Sequence, residues 1–274
     1  MAAIASVSPG LTSRVVERIF FRPPRAKSSP RAAASLASAQ RRTLELDGLP
    51  LRYFIWPGEG PAVYLLHGWG GASAQLTSFV PELRARGFTV VAIDAPAHGE
   101  SGGSLSTLLH FSRALRAVAL REGVPYAVVA HSLGGAATAH AIREGLPVGR
   151  AAFLGTPADI GVTFRDFLAV VGIPSARHDA LVASLERRFG FSWEELALQK
   201  IGPAMATPLL VVHDRADEEI PWTDGELIAR SWPGAVLVSP EGLGHRRILR
   251  DPEVVARVLD FVSAGADARE RSTA

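Results

Sequence analysis

Ser132 ends an apolar, β-branched run, Tyr126-Ala127-Val128-Val129-Ala130-His131-Ser132, and a run of small, helix-forming residues, Leu133-Gly134-Gly135-Ala136-Ala137, follows at once. This spacing predicts a strand that bends sharply into a helix, with the serine hydroxyl held on the bend at the C-terminal edge of a sheet as a nucleophile elbow. Small neighbours are needed because the bend brings strand and helix backbones close together. A serine hydroxyl is a poor nucleophile at neutral pH, so it needs a base within hydrogen-bond reach and a third group to orient that base. Both types lie downstream. Leu209–His213 reads as a buried strand leading into an acidic loop with Asp214, Asp217, Glu218 and Glu219, and His245 lies in the glycine-containing loop after the short strand Val236–Ser239. Upstream, the strand Val63–His67 runs into Gly68-Trp69-Gly70-Gly71. The backbone N–H groups of Trp69 and Leu133 can there cradle an oxyanion.

These pieces, in this order, resemble the α/β-hydrolase superfamily of the single-domain type, over about Leu44 to Val262. The segment Asp94-Ala95-Pro96-Ala97-His98-Gly99-Glu100-Ser101 is similar to the family's Asp-x-Pro-Gly-His-Gly-x-Ser loop. Two positions depart from the pattern: Ala130 stands at the first glycine of Gly-x-Ser-x-Gly, and Ala97 replaces a glycine in the loop. The resemblance implies an α/β-hydrolase fold, with a mostly parallel sheet of the eight-stranded type, helices on both faces and a small helical cap. It also implies a triad in the chain order serine, acid, histidine, with Ser132 as nucleophile and His245 as base. Asp217 matches the family's acid, which follows its strand by about four residues and precedes a valine or isoleucine and a proline, here Ile220-Pro221. Asp214, nearer the strand, and Asp159, after the preceding strand, stay open as alternatives. Asp94 and His98 are expected to order their loop. Tryptophans similar to Trp69 stabilise halide in haloalkane dehalogenases. Those enzymes, like epoxide hydrolases, use an aspartate nucleophile, so the serine excludes both chemistries.

The other histidines fit the role of base less well. His67 ends a strand, His98 belongs to the ordered loop, His131 is expected to point away from the nucleophile, and His110, His140, His178 and His213 read as surface or structural groups. No pair has helical metal-ligand spacing, so neither a metal nor another cofactor is expected. The chain of 274 residues has no cysteine, which excludes disulfides and thiol chemistry. No apolar run reaches the roughly 18 residues of a membrane span, so stable membrane insertion is not expected and a cytoplasmic location is.

Strands are further expected at Thr43–Leu46 and Leu51–Ile55, turned by Asp47-Gly48, and at Thr89–Asp94, Ala127–Ala130 and Ala151–Leu154. Helices are expected at Ala74–Arg86, Leu105–Arg121, Leu133–Glu144, Asp224–Ser231 and Pro252–Val262. Alternation of this kind reads as a parallel sheet covered on both faces, with ligands beyond the carboxyl ends of the strands. The core is therefore assigned to 41–155 and 206–264, and a tail to 265–274. Residues 156–205 read as a helical cap (Phe164–Val171, Ala180–Phe189, Trp193–Lys200). Its apolar side chains, Leu168 and Trp193 among them, are expected to line a substrate pocket with Trp69 or to pack the cap against itself.

Residues 1–40 form a basic arm. Through residue 42 the chain carries eight basic groups against Glu17 alone, whereas the remainder has 21 basic and 26 acidic groups. A transit-type presequence and a membrane-surface helix fit this composition. So does a helix over about Leu11–Phe21, stopped by Pro23-Pro24 and packing Leu11, Val15, Ile19 and Phe20 on the body. The acidic body shows no interleaved basic and aromatic pattern, which argues against nucleic acid as a partner. The expected function is hydrolysis of a small to medium apolar carboxylic ester, a small-molecule substrate. A non-catalytic ligand-binding protein on the same fold and an acyltransferase are the alternatives, and the oligomeric state is not indicated.

Overall fold

A computed structural model of the chain describes residues 9–24 and 29–264, and gives side chains from residue 13 onward. Its eight strands are β1 (Gln40–Leu46), β2 (Leu49–Trp56), β3 (Gly60–Leu66), β4 (Phe88–Ile93), β5 (Ala127–His131), β6 (Arg150–Leu154), β7 (Leu209–Val212) and β8 (Val236–Val238). They form one sheet in the order β1-β2-β4-β3-β5-β6-β7-β8. β2 is antiparallel to both neighbours, and all other pairs are parallel. Asp47 and Gly48 both take positive φ, 53° and 74°, the pairing that lets a two-residue turn match strand twist. The central strands are apolar on both faces because both are covered: Tyr64, Leu66, Val128 and Phe153 enter one core cluster, and Val63, Leu65, Val129 and Leu154 the other.

The helices are α1 (Pro9–Phe20), α2 (Pro30–Ala37), α3 (Val80–Ala85), α4 (Leu108–Glu122), α5 (Leu133–Arg143), α6 (Ile160–Val170), α7 (His178–Phe189), α8 (Trp193–Leu196), α9 (Leu198–Ile201), α10 (Trp222–Ser231), α11 (Gly244–Arg247) and α12 (Pro252–Ser263). Side chains of α4, α5 and α10 pack on one face of the sheet, and those of α3 and α12 on the other. This is the α/β-hydrolase fold. Two expected helices are broken. The one over Ala74–Arg86 divides into a short 3-10 turn, Ser73–Leu76, and α3, because Pro81 is tolerated only in a first turn. Trp193–Lys200 divides at Ala197, whose ψ of 127° is extended, and the N–H of Leu198 donates across to the carbonyl of Ala158 at 2.7 Å.

The arm helix α1 lies close to its expected span, but a different face is buried. Val16, Glu17 and, just beyond the helix, Phe21 are covered, while Ile19 is exposed and Val15 and Phe20 are half-buried. The side chain of Leu11 lies outside the described residues, as do the tail 265–274 and Arg25 and Lys27 of the arm. Glu17 can face inward because Arg188 of α7 pairs with it at 2.8 Å. The helix rests on α6 and α7.

Candidate active site

β5 delivers Ser132 to the elbow. The serine has φ 50° and ψ −123°, a conformation that L-residues rarely adopt and that a structure holds only when its surroundings over-determine it. Those surroundings are visible. The Ser132 N–H donates to the carbonyl of Leu154 at 2.9 Å, tying the bend to β6. A Cβ on Gly134 would lie 2.6 Å from the carbonyl oxygens of Leu66 and His67, and one on Gly135 would lie 2.1 Å from Thr156 Oγ1. On the other side, a Cβ on Gly68 would come within 2.7 Å of the Ser132 Cβ. The backbone before Trp69 therefore runs directly against the serine. Ala130 is fully buried in β5, between Leu66 and Phe153, so its methyl is accommodated.

The acidic loop after β7 and the loop after β8 converge on the same point. His245 Nδ1 lies 2.8 Å from Asp217 Oδ2, and both residues are buried. Asp217 Oδ1 accepts the N–H groups of Glu219 and Ile220, each at 2.9 Å. Burial pushes this carboxyl up, but the His245 bond and the two backbone donors outweigh it and hold its pKa below the usual value. An ionised carboxylate only accepts, so Nδ1 of His245 carries the proton and Nε2 is left as the basic nitrogen. Asp214 sits one loop turn away and accepts from Ala216 N–H and Leu243 N–H, both at 2.9 Å, which joins the acid loop to the histidine loop. Asp159 caps α6 instead, accepting from Gly161 and Val162. Only Asp217, of the three carboxylates considered, is bonded to His245.

The glycine-rich loop after β3 is set by its neighbours. His98 Nε2 accepts the Gly70 N–H at 3.0 Å, and the His98 ring meets Trp69 edge-on at 5.2 Å. Asp94 accepts from Ser73 at 2.7 Å and from Glu100 at 2.8 Å, so it orders both segments. Ser132, Leu133, His245 and Trp69 open onto one cavity of about 630 Å³, within the roughly 300–1,000 Å³ usual for small-molecule sites. Trp193 lines it as well. Leu168 does not: it is fully buried in the core, and its neighbour Phe167 takes the cavity wall. Among the described residues, no group of three or more His, Cys, Asp or Glu side chains could hold a metal ion, and no helix is long and apolar enough to cross a membrane.

A model of the alpha/beta hydrolase family matches residues 63–258, well over half of the chain. The chain belongs to the alpha/beta hydrolase family. It is 33% identical over 106 residues to the dihydrolipoyllysine-residue acetyltransferase component of the acetoin cleaving system of Cupriavidus necator, which covers 38% of this chain and 28% of that relative. Among solved structures it is similar to mouse alpha/beta hydrolase domain-containing protein 10 (TM-score 0.66, 19% identity, 84% of this chain and 99% of that one). A thermophilic esterase from Thermogutta terrifontis is similarly close (TM-score 0.64, 18% identity, 83% of this chain and 100% of that one).

Three contributors to this hydrolase site were not expected from the sequence. His131 does not point away: its Nε2–H donates to the carbonyl of His245 at 2.9 Å, and the two rings lie 4.6 Å apart. Burial and the nearby His245 depress its pKa to about 3, so it is neutral. Gly155, at φ 57°, puts its Cα where a Cβ would sit 3.1 Å from His245 Nδ1. The third contributor is the arm, whose Phe20 and Pro24 line the cavity. Its signal was the Phe20-Phe21 pair before Pro23-Pro24, apolar weight that a solvated basic tail does not need.

Proposed function

We propose that this alpha/beta hydrolase is a serine hydrolase that cleaves a carboxylic ester, or a related acyl bond, of a small to medium apolar substrate through an acyl-enzyme. The observation that carries this reading is the His245–Asp217 bond of 2.8 Å, opening onto the same cavity as the elbow serine. His245 Nε2 takes the Ser132 proton as the hydroxyl attacks the carbonyl carbon, while Asp217 holds the imidazole in orientation and stabilises its charged form. The backbone N–H groups of Trp69 and Leu133 receive the developing oxyanion, donors commonly worth about 2.7–4 kcal/mol each. His245 then protonates the leaving group, and water attacks the acyl-enzyme by the same route in reverse. The helices α6 to α9 act as a cap that excludes bulk water from these steps. No cofactor takes part. The partial resemblance to an acetyltransferase component supports a second discharge route, in which an alcohol or amine replaces water.

The test is covalent labelling with a fluorophosphonate followed by intact-mass analysis, on wild type and Ser132→Ala. One adduct on wild type, absent from the variant, together with turnover of simple esters, is the expected result. No adduct under conditions that label a control esterase would sink the hydrolase reading and leave a ligand-binding protein.

A further inference from the structure

The cavity wall has two sources, and one lies far outside the region that matches the family. Most of the wall comes from within residues 63–258, but Ile19, Phe20, Phe21 and Pro24 of the arm close one side. The arm is fastened along its length. Ser13 Oγ meets Ser184 Oγ at 3.1 Å, and Glu17 pairs with Arg188, so one end is held to α7. At the other end Phe21 accepts the Ser106 N–H at 2.8 Å, and Pro24 packs so closely on the loop of Trp69 that a Cβ on Gly70 would lie 3.0 Å from its Cγ. Between these anchors the Phe20 ring sits 4.8 Å from Phe164 and 5.0 Å from Phe167. Ile19, by contrast, is 51% exposed while lining the cavity, a large apolar side chain at its rim.

The geometry points to the arm as a specificity-determining wall of the acyl site, with Phe20 and Ile19 contacting a medium-chain, uncharged acyl group of the substrate. This inference rests on the hydrolase reading for the bond that is cut, but not for the binding of the chain. The charged side chains on the cavity, Glu219 and Arg246, pair with each other at 3.0 Å and leave no net charge for an anionic substituent to meet. The remaining wall around Phe20 is aromatic and aliphatic, so each methylene that enters removes apolar surface from water. Short acyl groups would reach the serine without touching the arm. Longer ones fill the space that the arm encloses.

The test compares acetyl and octanoyl esters on wild type, Phe20→Ala and Ile19→Trp, and titrates octanoate calorimetrically into each in a Ser132→Ala background. Phe20→Ala removes the wall, and Ile19→Trp narrows the cavity from an exposed position where loss of folding is not at issue. Each variant should lower the octanoyl-to-acetyl ratio of kcat/KM about tenfold or more, chiefly through KM for the octanoyl ester. Octanoate binding should weaken in parallel. Unchanged octanoyl-to-acetyl ratios and unchanged octanoate affinity in both variants would overturn the inference, as would a wild type that hydrolyses acetyl esters and binds no octanoate. A wild type that turns over no ester, yet binds octanoate more tightly than Phe20→Ala in the Ser132→Ala background, would remove the hydrolase reading and support the wall.

Discussion

A carboxylate that orients an imidazole must stay ionised while buried, and Asp217 does so because three donors converge on it, two on Oδ1 and one on Oδ2. Asp214, only three residues earlier, spends both oxygens on backbone N–H groups of two loops and has none left for His245. The division of labour makes opposite predictions for the same substitution. Asp217→Asn should keep the fold and lower kcat about 10³–10⁴-fold, because an amide donor facing Nδ1 imposes the wrong tautomer on the histidine. Asp214→Asn should turn an amide against one backbone donor, cost about 1–3 kcal/mol of stability, and reduce kcat far less. Steady-state kinetics beside thermal unfolding separates the two, and a reversed order would move the acid to Asp214. His131, buried and neutral at the cavity edge, holds the backbone of His245 through the bond to its carbonyl.

Elements succeed here where their termini are held at unusual dihedrals. Among the described residues, Ser132 and Ala97 are two of the three non-glycine residues with positive φ, at 50° and 67°. Ser132 is held there by its N–H bond to the Leu154 carbonyl, whereas Ala97 stands at a glycine position of the Asp-x-Pro-Gly-His-Gly-x-Ser pattern that its loop resembles and contributes only a methyl group. The conformation costs an L-residue roughly 1 kcal/mol that glycine does not incur. Ala97→Gly should therefore stabilise the protein by about 0.5–1 kcal/mol, offset in part by greater unfolded-state entropy. The midpoint would rise by about 1–4 °C, and ester turnover would be unaltered. A lower midpoint would mean that the buried methyl matters more than the strain. The same reasoning explains what was legible beforehand. The elbow was readable because steric crowding favours small residues at Ala130, Gly134 and Gly135 around the serine, and the strands because apolar runs covered on both faces have no polar alternation. The break at Ala197 was not, since it is set by the hydrogen bond of the Leu198 N–H to Ala158, 40 residues away in sequence. The buried face of α1 was misread for a related reason. Its apolar spacing favoured Val15 and Ile19, whereas the partner Arg188, remote in the chain, lets Glu17 turn inward. Leu168 and Phe167 are adjacent on one helix, and only tertiary packing decides which of them faces the cavity.

At the scale of the whole molecule, charge is segregated and neutral histidines are stored inside. The arm helix rests on α6 and α7, and its one acid, Glu17, is the group paired with a base of the body, Arg188. Meanwhile His67, His131 and His213 are buried with depressed pKa values, to about 4 for His67 and about 3 for His131, burial being the main cause each time. A histidine whose folded pKa lies below its unfolded value of about 6.5 binds fewer protons folded than unfolded. Its contribution is fully present above about pH 6.5 and is lost as pH falls towards the folded value. At about pH 5 the loss is about 2 kcal/mol for each of His67 and His131. Asp94 has the opposite sign: burial raises its pKa, so the folded state takes up its proton first and recovers part of this loss on acidification. Stability measured by urea unfolding should fall between about pH 7 and pH 5, before the bulk of the carboxylates titrate. His67 donates to Gly68 at 2.7 Å through Nδ1 and accepts from Ala95 at 3.0 Å through Nε2, a pair of bonds that an uncharged amide can approximate. His67→Gln should consequently be less stable at neutral pH yet flatter with pH, its loss between about pH 7 and pH 5 smaller by about 2 kcal/mol. If the slope of the variant equals that of wild type, the buried histidine at the end of β3 is not what makes the fold sensitive to acid.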